Sequence, residues 1–194
     1  MPNSSHPLRI IVTGFEPFGG AASNASWEAV RTLQNVDTVL LPVSYIRAPE
    51  TVRALIASAP DAILCVGEAG GRASLSIERV AINLRDARIP DNDGQLLQDA
   101  PILPGGPTAY LSTLPTRQIT EALRASNIPA ELSYTAGTYV CNTVFYTLMN
   151  AISRQQRPIA GGFIHVPAHA LDPDQLRRGL EIAIDCIRAA QIAP

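Results

Sequence analysis

The sequence predicts an α/β fold: a single-domain, three-layer α/β/α sandwich around a mostly parallel mixed sheet. Apolar runs of strand length alternate along the chain with amphipathic stretches of helix length, the pattern that joins strands through helical crossovers. The apolar residues are mainly Ala, Leu, Ile and Val, with aromatics only 5% of the chain, a palette suited to helices packed on a parallel sheet. With 194 residues, 46% of them hydrophobic, the chain can bury one full core, so 1–194 is read as one domain with residues 1–7 as a short polar tail.

Strands are expected at Arg9 to Thr13, Thr38 to Val43, Ala62 to Val66, Ser74 to Leu84, Glu131 to Tyr134 and Gly162 to His165. Helices are expected near Ser26 to Leu33, Pro49 to Ala59, Thr116 to Ser126, Asn142 to Arg154 and Pro173 to Ala190. Asp172-Pro173 is a strong helix start, with a capping carboxylate followed by a proline in the first turn. Val144, Phe145, Leu148 and Ile152 form an apolar stripe that docks their helix on the sheet. From Arg85 to Thr108 runs a stretch rich in Pro, Gly, Asp and Gln, without periodicity and too long for an ordinary connection. It is read as irregular structure near a cleft mouth, part of which orders when a ligand binds.

Several function classes are excluded. The formal net charge of −2 leaves no basic patch for nucleic acid, and no apolar run approaches the length of a membrane span. Gly14 to Gly19 has the glycine spacing of a phosphate-binding P-loop, but Gly20 and Ala21 follow where Lys and Ser or Thr are required, so the phosphate charge would go unmet. No dinucleotide fingerprint follows a strand. Gly70-Gly71, Gly105-Gly106 and Gly161-Gly162 are read as turns that let backbone approach backbone. Three cysteines make no disulfide framework, and Cys65 and Cys186 fall in apolar segments as inert core residues. An odd, low cysteine count without a signal peptide points to a reducing, cytoplasmic setting.

The third cysteine is the informative one. Cys141 lies in Ala136-Gly137-Thr138-Tyr139-Val140-Cys141-Asn142, where a helix is expected to begin, and unpaired N–H groups with the positive end of the helix dipole favour its thiolate. His165 ends the run Gly162 to His165, and Glu78 places a charge inside the strand-like Leu75 to Asn83. A Cys that attacks, a His that takes its proton and a carboxylate that orients the His would make a nucleophilic triad without any metal or cofactor. Taken singly, each has a plainer reading: a small core residue, a structural histidine, a solvent-facing charge beside Arg79.

Taken together, these residues sit in blocks that resemble the pyroglutamyl peptidases of the pyrrolidone-carboxylate peptidase type. The blocks are Val12 to Gly20, Gly67 to Asn83, Arg88-Ile89-Pro90-Asp91-Asn92, Ser133 to Asn142 and Gly162 to Pro167, and those around Glu78 and Cys141 match the family's two active-site signatures. The resemblance implies hydrolysis of the amide after an N-terminal pyroglutamate of peptides. It places the nucleophile on Cys141, the general base on His165 and the orienting acid on Glu78, with Arg88 near the reacting carbonyl as a second oxyanion contributor beside the Cys141 N–H. Phe15 and Phe18 fall where the family places its ring-contacting aromatics, and a neutral lactam suits such walls better than a charged N-terminus does. A homotetramer is implied as well.

The sequence departs from the family pattern at two places. Glu68 stands where many members carry Gln, exchanging a group that donates and accepts for one that only accepts when ionised. Ala25 stands in Asn24-Ala25-Ser26-Trp27 where Pro is common, softening a helix start. Two other readings stay open on the residues alone: a thiol amidase or acyl transferase for another small acyl group, and a catalytically silent binding protein on the same fold.

Overall fold

The computed structural model describes residues 8–192; the polar tail expected at 1–7 lies outside them. In chain order the elements are β1 (Ile10–Phe15), α1 (Ala25–Val30), β2 (Asp37–Leu41), α2 (Arg47–Ala57), β3 (Ala62–Glu68), β4 (Leu75–Glu78), β5 (Val80–Ile82), β6 (Ala109–Leu111), α3 (Thr116–Ala125), β7 (Ala130–Ser133), α4 (Val140–Ile152), β8 (Ala160–Val166) and α5 (Pro173–Ile192). Six strands form one sheet in the order β2-β1-β3-β8-β4-β7. β2, β1, β3 and β8 run parallel, β4 runs antiparallel to β8, and β7 is parallel to β4. The mostly parallel mixed sheet expected from the sequence is therefore present.

Helices cover both faces, which is why β1 and β8 are buried along their whole length and β3 up to Gly67. On one face α1, α3 and α5 pack with Val12, Leu64, Ile77 and Ile164. On the other, α2 and α4 pack with Ile11, Ile63, Cys65 and Phe163. The apolar residues thus divide into two clusters separated by the sheet rather than one undivided core. Asp172 caps α5 as expected: its Oδ1 accepts from the Gln175 N–H at 2.8 Å, and Gln175 Oε1 accepts from the Asp172 N–H at 3.1 Å, a reciprocal capping box.

Three expectations are corrected. Ser74 to Leu84 is not one strand. The chain leaves the main sheet after Glu78, where the Arg79 N–H donates to the Ser133 carbonyl, and β5 pairs instead with β6, a short strand whose exposed pattern carries little periodic signal. α4 buries far more than a stripe, because the β5–β6 ribbon covers the side turned from the main sheet and Tyr110 packs edge-on against Tyr146. Gly161 and Gly162 lie within β8 and not in a turn: a Cβ would run into Ile152 Cδ1 at Gly161 and into Ser112 Oγ at Gly162. Their value is close packing from both sides of the strand.

The segment 85–108 is irregular and tied down beside the site. Asn92 Nδ2 donates to Glu16 Oε1 and the Pro17 carbonyl, both at 2.9 Å, and Tyr139 Oη donates to the Pro90 carbonyl at 2.9 Å. Among the described residues no helix is long and apolar enough to cross a membrane.

Candidate active site

Strand register brings two of the expected residues together. In the antiparallel β4–β8 pair Ser76 is opposite His165 and Glu78 opposite Phe163, so Glu78 and His165 are diagonal neighbours on one face. Ending β4 at Glu78 lets its side chain turn toward the ring: His165 Nδ1 lies 2.8 Å from Glu78 Oε1. Both residues are buried, Glu78 completely. With Nδ1 held by the carboxylate, Nε2 is the ring nitrogen left for chemistry.

Cys141 arrives on the same face from α4. Tyr139 is the N-cap residue and Val140 the first helical residue, so the thiol sits in the first turn. Asn142 secures that turn: its Nδ2 donates to the Ile82 and Leu84 carbonyls, both at 2.9 Å, and its Oδ1 accepts from the Ile82 N–H at 3.1 Å. Gly137, at φ +73°, makes the left-handed turn that brings the chain in. The sulfur then lies over β3 at Gly67, where a Cβ would stand 2.8 Å from Cys141 Sγ and 2.8 Å from Phe163 Cζ. Gly67 is paired with His165 across β3–β8, and the Phe163 and His165 rings are 4.8 Å apart. Sulfur, imidazole and carboxylate therefore share one patch of sheet, although the thiol makes no hydrogen bond to His165 among the described residues.

Electrostatics here weigh against one expectation. Burial pushes the Cys141 thiol well above its ordinary value of 9.0 and the nearby Glu78 charge pushes the same way, while Arg72 and the Cys141 backbone N–H pull it down without prevailing. Burial also lowers His165 below 6.5, against the opposing pull of Glu78. Cys141 keeps some exposure at the cleft, but its sulfur is packed against Phe163 and the sheet. Both shifts favour the neutral forms and oppose the thiolate that the helix start favours, because desolvation outweighs a helix terminus.

Phe15, Phe18 and Glu68 line one small cleft with Cys141, joined by Asn24, Val43, Tyr139 and Val140. Phe15 both lines the cleft and packs in the core, at 2% exposure. Ser26 Oγ accepts from the Phe15 N–H at 3.0 Å and donates to Asn24 Oδ1 at 2.7 Å, so the start of α1 holds the end of β1. Glu68 Oε2 accepts from the Ala25 N–H at 2.6 Å. Arg88 stands apart: it is exposed on the irregular segment and is not among the residues lining the cleft.

Sequence reasoning missed Arg72, Tyr139 and Asn24. Arg72 Nη1 donates to Glu78 Oε1 at 2.6 Å and Nη2 to the Thr135 carbonyl at 2.8 Å. Its one sequence signal is a cation in a glycine-rich turn close before Glu78. Asn24 is explained locally as the N-cap of α1, its side chain accepting from the Ser26 N–H, while Tyr139 stands at the N-cap position of α4 without a side-chain cap bond and carries no local signal for a cleft.

Comparison with known proteins gives the family. The model of the family described as "Pyroglutamyl peptidase" matches residues 8–187. The chain is 46% identical to pyrrolidone-carboxylate peptidase 1 of Ralstonia nicotianae, covering 91% of each chain, and 42% identical to the pyrrolidone-carboxylate peptidase of Brevibacillus brevis, covering 93% of this chain and 90% of that one. Its fold is similar to the crystal structure of the pyroglutamyl peptidase I from Bacillus amyloliquefaciens, with a TM-score of 0.92 and 41% identity over 96% of this chain and 97% of that one. With residues 8–187 matched by the family model and relatives up to 46% identical over nine-tenths of the chain, this chain belongs to the pyroglutamyl peptidase family.

Proposed function

We propose that this protein is a cysteine exopeptidase that hydrolyses the amide bond following an N-terminal pyroglutamate of peptides. The observation that carries the mechanism is the Glu78 Oε1 contact to His165 Nδ1 at 2.8 Å on the sheet face over which Cys141 Sγ lies. Neutral His165 takes the thiol proton through Nε2 as Sγ attacks the pyroglutamyl carbonyl, and Glu78 steadies the imidazolium that forms. The tetrahedral oxyanion is met by the Cys141 backbone N–H, one of the free donors of the first turn of α4. Arg88, exposed on the irregular segment, is the second contributor that the family resemblance assigns. His165 returns its proton to the leaving amine as the carbon–nitrogen bond breaks. It then removes a proton from the water that attacks the thioester, which frees pyroglutamate and the thiol.

Phe15 and Phe18 wall the ring. Glu68, with one oxygen occupied by the Ala25 N–H, presents its other oxygen as an acceptor for the lactam N–H. We take residues 1–194 as a single domain working as a homotetramer in the cytoplasm. The test is turnover of pyroglutamyl, prolyl and glutamyl chromogenic amides. Hydrolysis of the pyroglutamyl amide alone, lost in Cys141→Ser, is the expected result; preference for another acyl group, or no turnover of any, overturns the reading.

A further inference from the structure

Glu78 is fully buried, and a buried carboxylate must be met by charge and donors in good geometry. Both of its contacts fall on one oxygen: His165 Nδ1 at 2.8 Å and Arg72 Nη1 at 2.6 Å share Oε1, while Oε2 has no partner among the described residues. A neutral imidazole supplies a hydrogen bond but no countercharge, so the cation that balances Glu78 is Arg72. Its second Nη is braced on the Thr135 carbonyl, in the loop that leads into α4 and Cys141. One guanidinium thus links the acid to the segment carrying the nucleophile, and it does so from outside the residues that line the cleft.

We propose that Arg72 is a positioning residue for the hydrolysis assigned above, on which this inference rests: braced on Thr135, it holds the Glu78 side chain aimed at His165 and offsets its charge, so that the imidazole can both take the Cys141 proton and release it to the leaving amine. Three groups face Glu78: His165 from β8, Cys141 from α4, and Arg72 from the turn after β3. Without Arg72, the bare carboxylate would grip the proton on His165 and oppose the negative charge developing on sulfur. Burial is the largest influence on both groups, lowering His165 and raising Cys141; beneath it Glu78 raises both and Arg72 lowers both.

The experiment compares the unmodified chain with Arg72→Met and Arg72→Lys, reading the pH profile of pyroglutamyl amide turnover and, separately, the NMR titration of the His165 ring. In Arg72→Met, kcat should fall on the order of 100-fold, the scale of a misplaced catalytic group. KM should stay within about twofold, since uniform binding is untouched. The acid limb and the His165 midpoint should both move to higher pH by about half a unit or more. Arg72→Lys should bring both back toward their original positions while recovering only part of kcat, because a single ammonium cannot span Glu78 and Thr135. An unmoved His165 midpoint in folded Arg72→Met, or equal damage in both variants with the acid limb in place, overturns the proposal. Should Arg72→Met not fold, Arg72→Gln carries the same readings. If the unmodified chain turns over no pyroglutamyl amide, the assigned reaction fails, and the His165 titration still decides the role of Arg72.

Discussion

The Ala25 backbone N–H donates to Glu68 Oε2 at 2.6 Å, so the two positions at which this chain departs from the pattern of the family it resembles are bonded to each other. A proline at 25 has no N–H to give, and an ionised glutamate at 68 requires a donor where an amide does not. The pair is one local solution rather than two unrelated changes.

Ala25→Pro tests that coupling. Proline suits the first residue of α1 conformationally, so the fold should hold while Glu68 loses its partner. A lost hydrogen bond to a charged group is worth roughly 1.5–3 kcal/mol, so kcat/KM for a pyroglutamyl amide should drop by about tenfold or more, mainly through KM. Adding Glu68→Gln should recover most of the loss. Steady-state kinetics of the four-member mutant cycle provide the measurement, and simple additivity would break the link.

The triad residues should differ in severity. Cys141→Ser and His165→Ala should each lower kcat by on the order of 1,000-fold or more, whereas Glu78→Gln should be milder, keeping the orientation of His165 but losing the charge that steadies its imidazolium. Circular dichroism should show each variant folded. Near-normal turnover in Cys141→Ser would remove the nucleophile from the mechanism.

Gly67→Ala should damage the site from beneath. The added Cβ would stand 2.8 Å from both Cys141 Sγ and Phe163 Cζ, so the thiol must shift off the sheet. Overpacking of this kind costs about 1–3 kcal/mol of stability, and a displacement near 1 Å is enough to lower kcat on the order of 100-fold. Thermal melts and kcat should report both losses.

Acid should act on His165 in a defined direction. Its imidazole is lowered from 6.5, so the neutral base persists below that pH and the acid limb of kcat/KM should lie on the acidic side of 6.5. The same shift bears on stability. Between the folded value and 6.5 the unfolded chain binds a proton that the folded chain refuses, so the His165 contribution to unfolding free energy falls as pH drops below 6.5. Replacing His165 with Gln should flatten that part of a denaturation-versus-pH curve.

Base should act on the thiols with the opposite slope. Cys65 is fully buried and pushed up from 9.0 to about 12, and Cys141 is raised as well. Above pH 9 the unfolded chain releases these protons while the folded chain keeps them, so stability should fall as pH rises, and Cys65→Ala should reduce the fall. Iodoacetamide should label Cys141 slowly at neutral pH, faster as pH rises, and always ahead of Cys65, which has no exposure. Fast neutral labelling of Cys141 would contradict a neutral resting thiol.

Much of this protein can be read along the chain because the relevant signals are local. Periodicity placed all five helices and most strands within a few residues, and Asp172-Pro173 marked the start of α5 from its capping chemistry. What escaped was set from a distance. The break after Glu78 depends on Ser133 and on a partner strand, β6, that has almost no pattern of its own. The burial of α4 depends on the ribbon those strands form, and Gly161-Gly162 reads as a turn until helix and loop are seen closing on the strand from either side.

By itself the sequence determined the alternating α/β architecture, because residue type and local spacing carry that information; its family resemblance nominated Glu78, Cys141 and His165 and marked the two departures at Ala25 and Glu68. Only the tertiary structure decided that the two departures touch, that Arg72 and His165 share one oxygen of Glu78, and that burial opposes the Cys141 thiolate. Each of these turns on which groups the folded chain buries together, and desolvation and pairing are properties of that environment rather than of any segment of sequence.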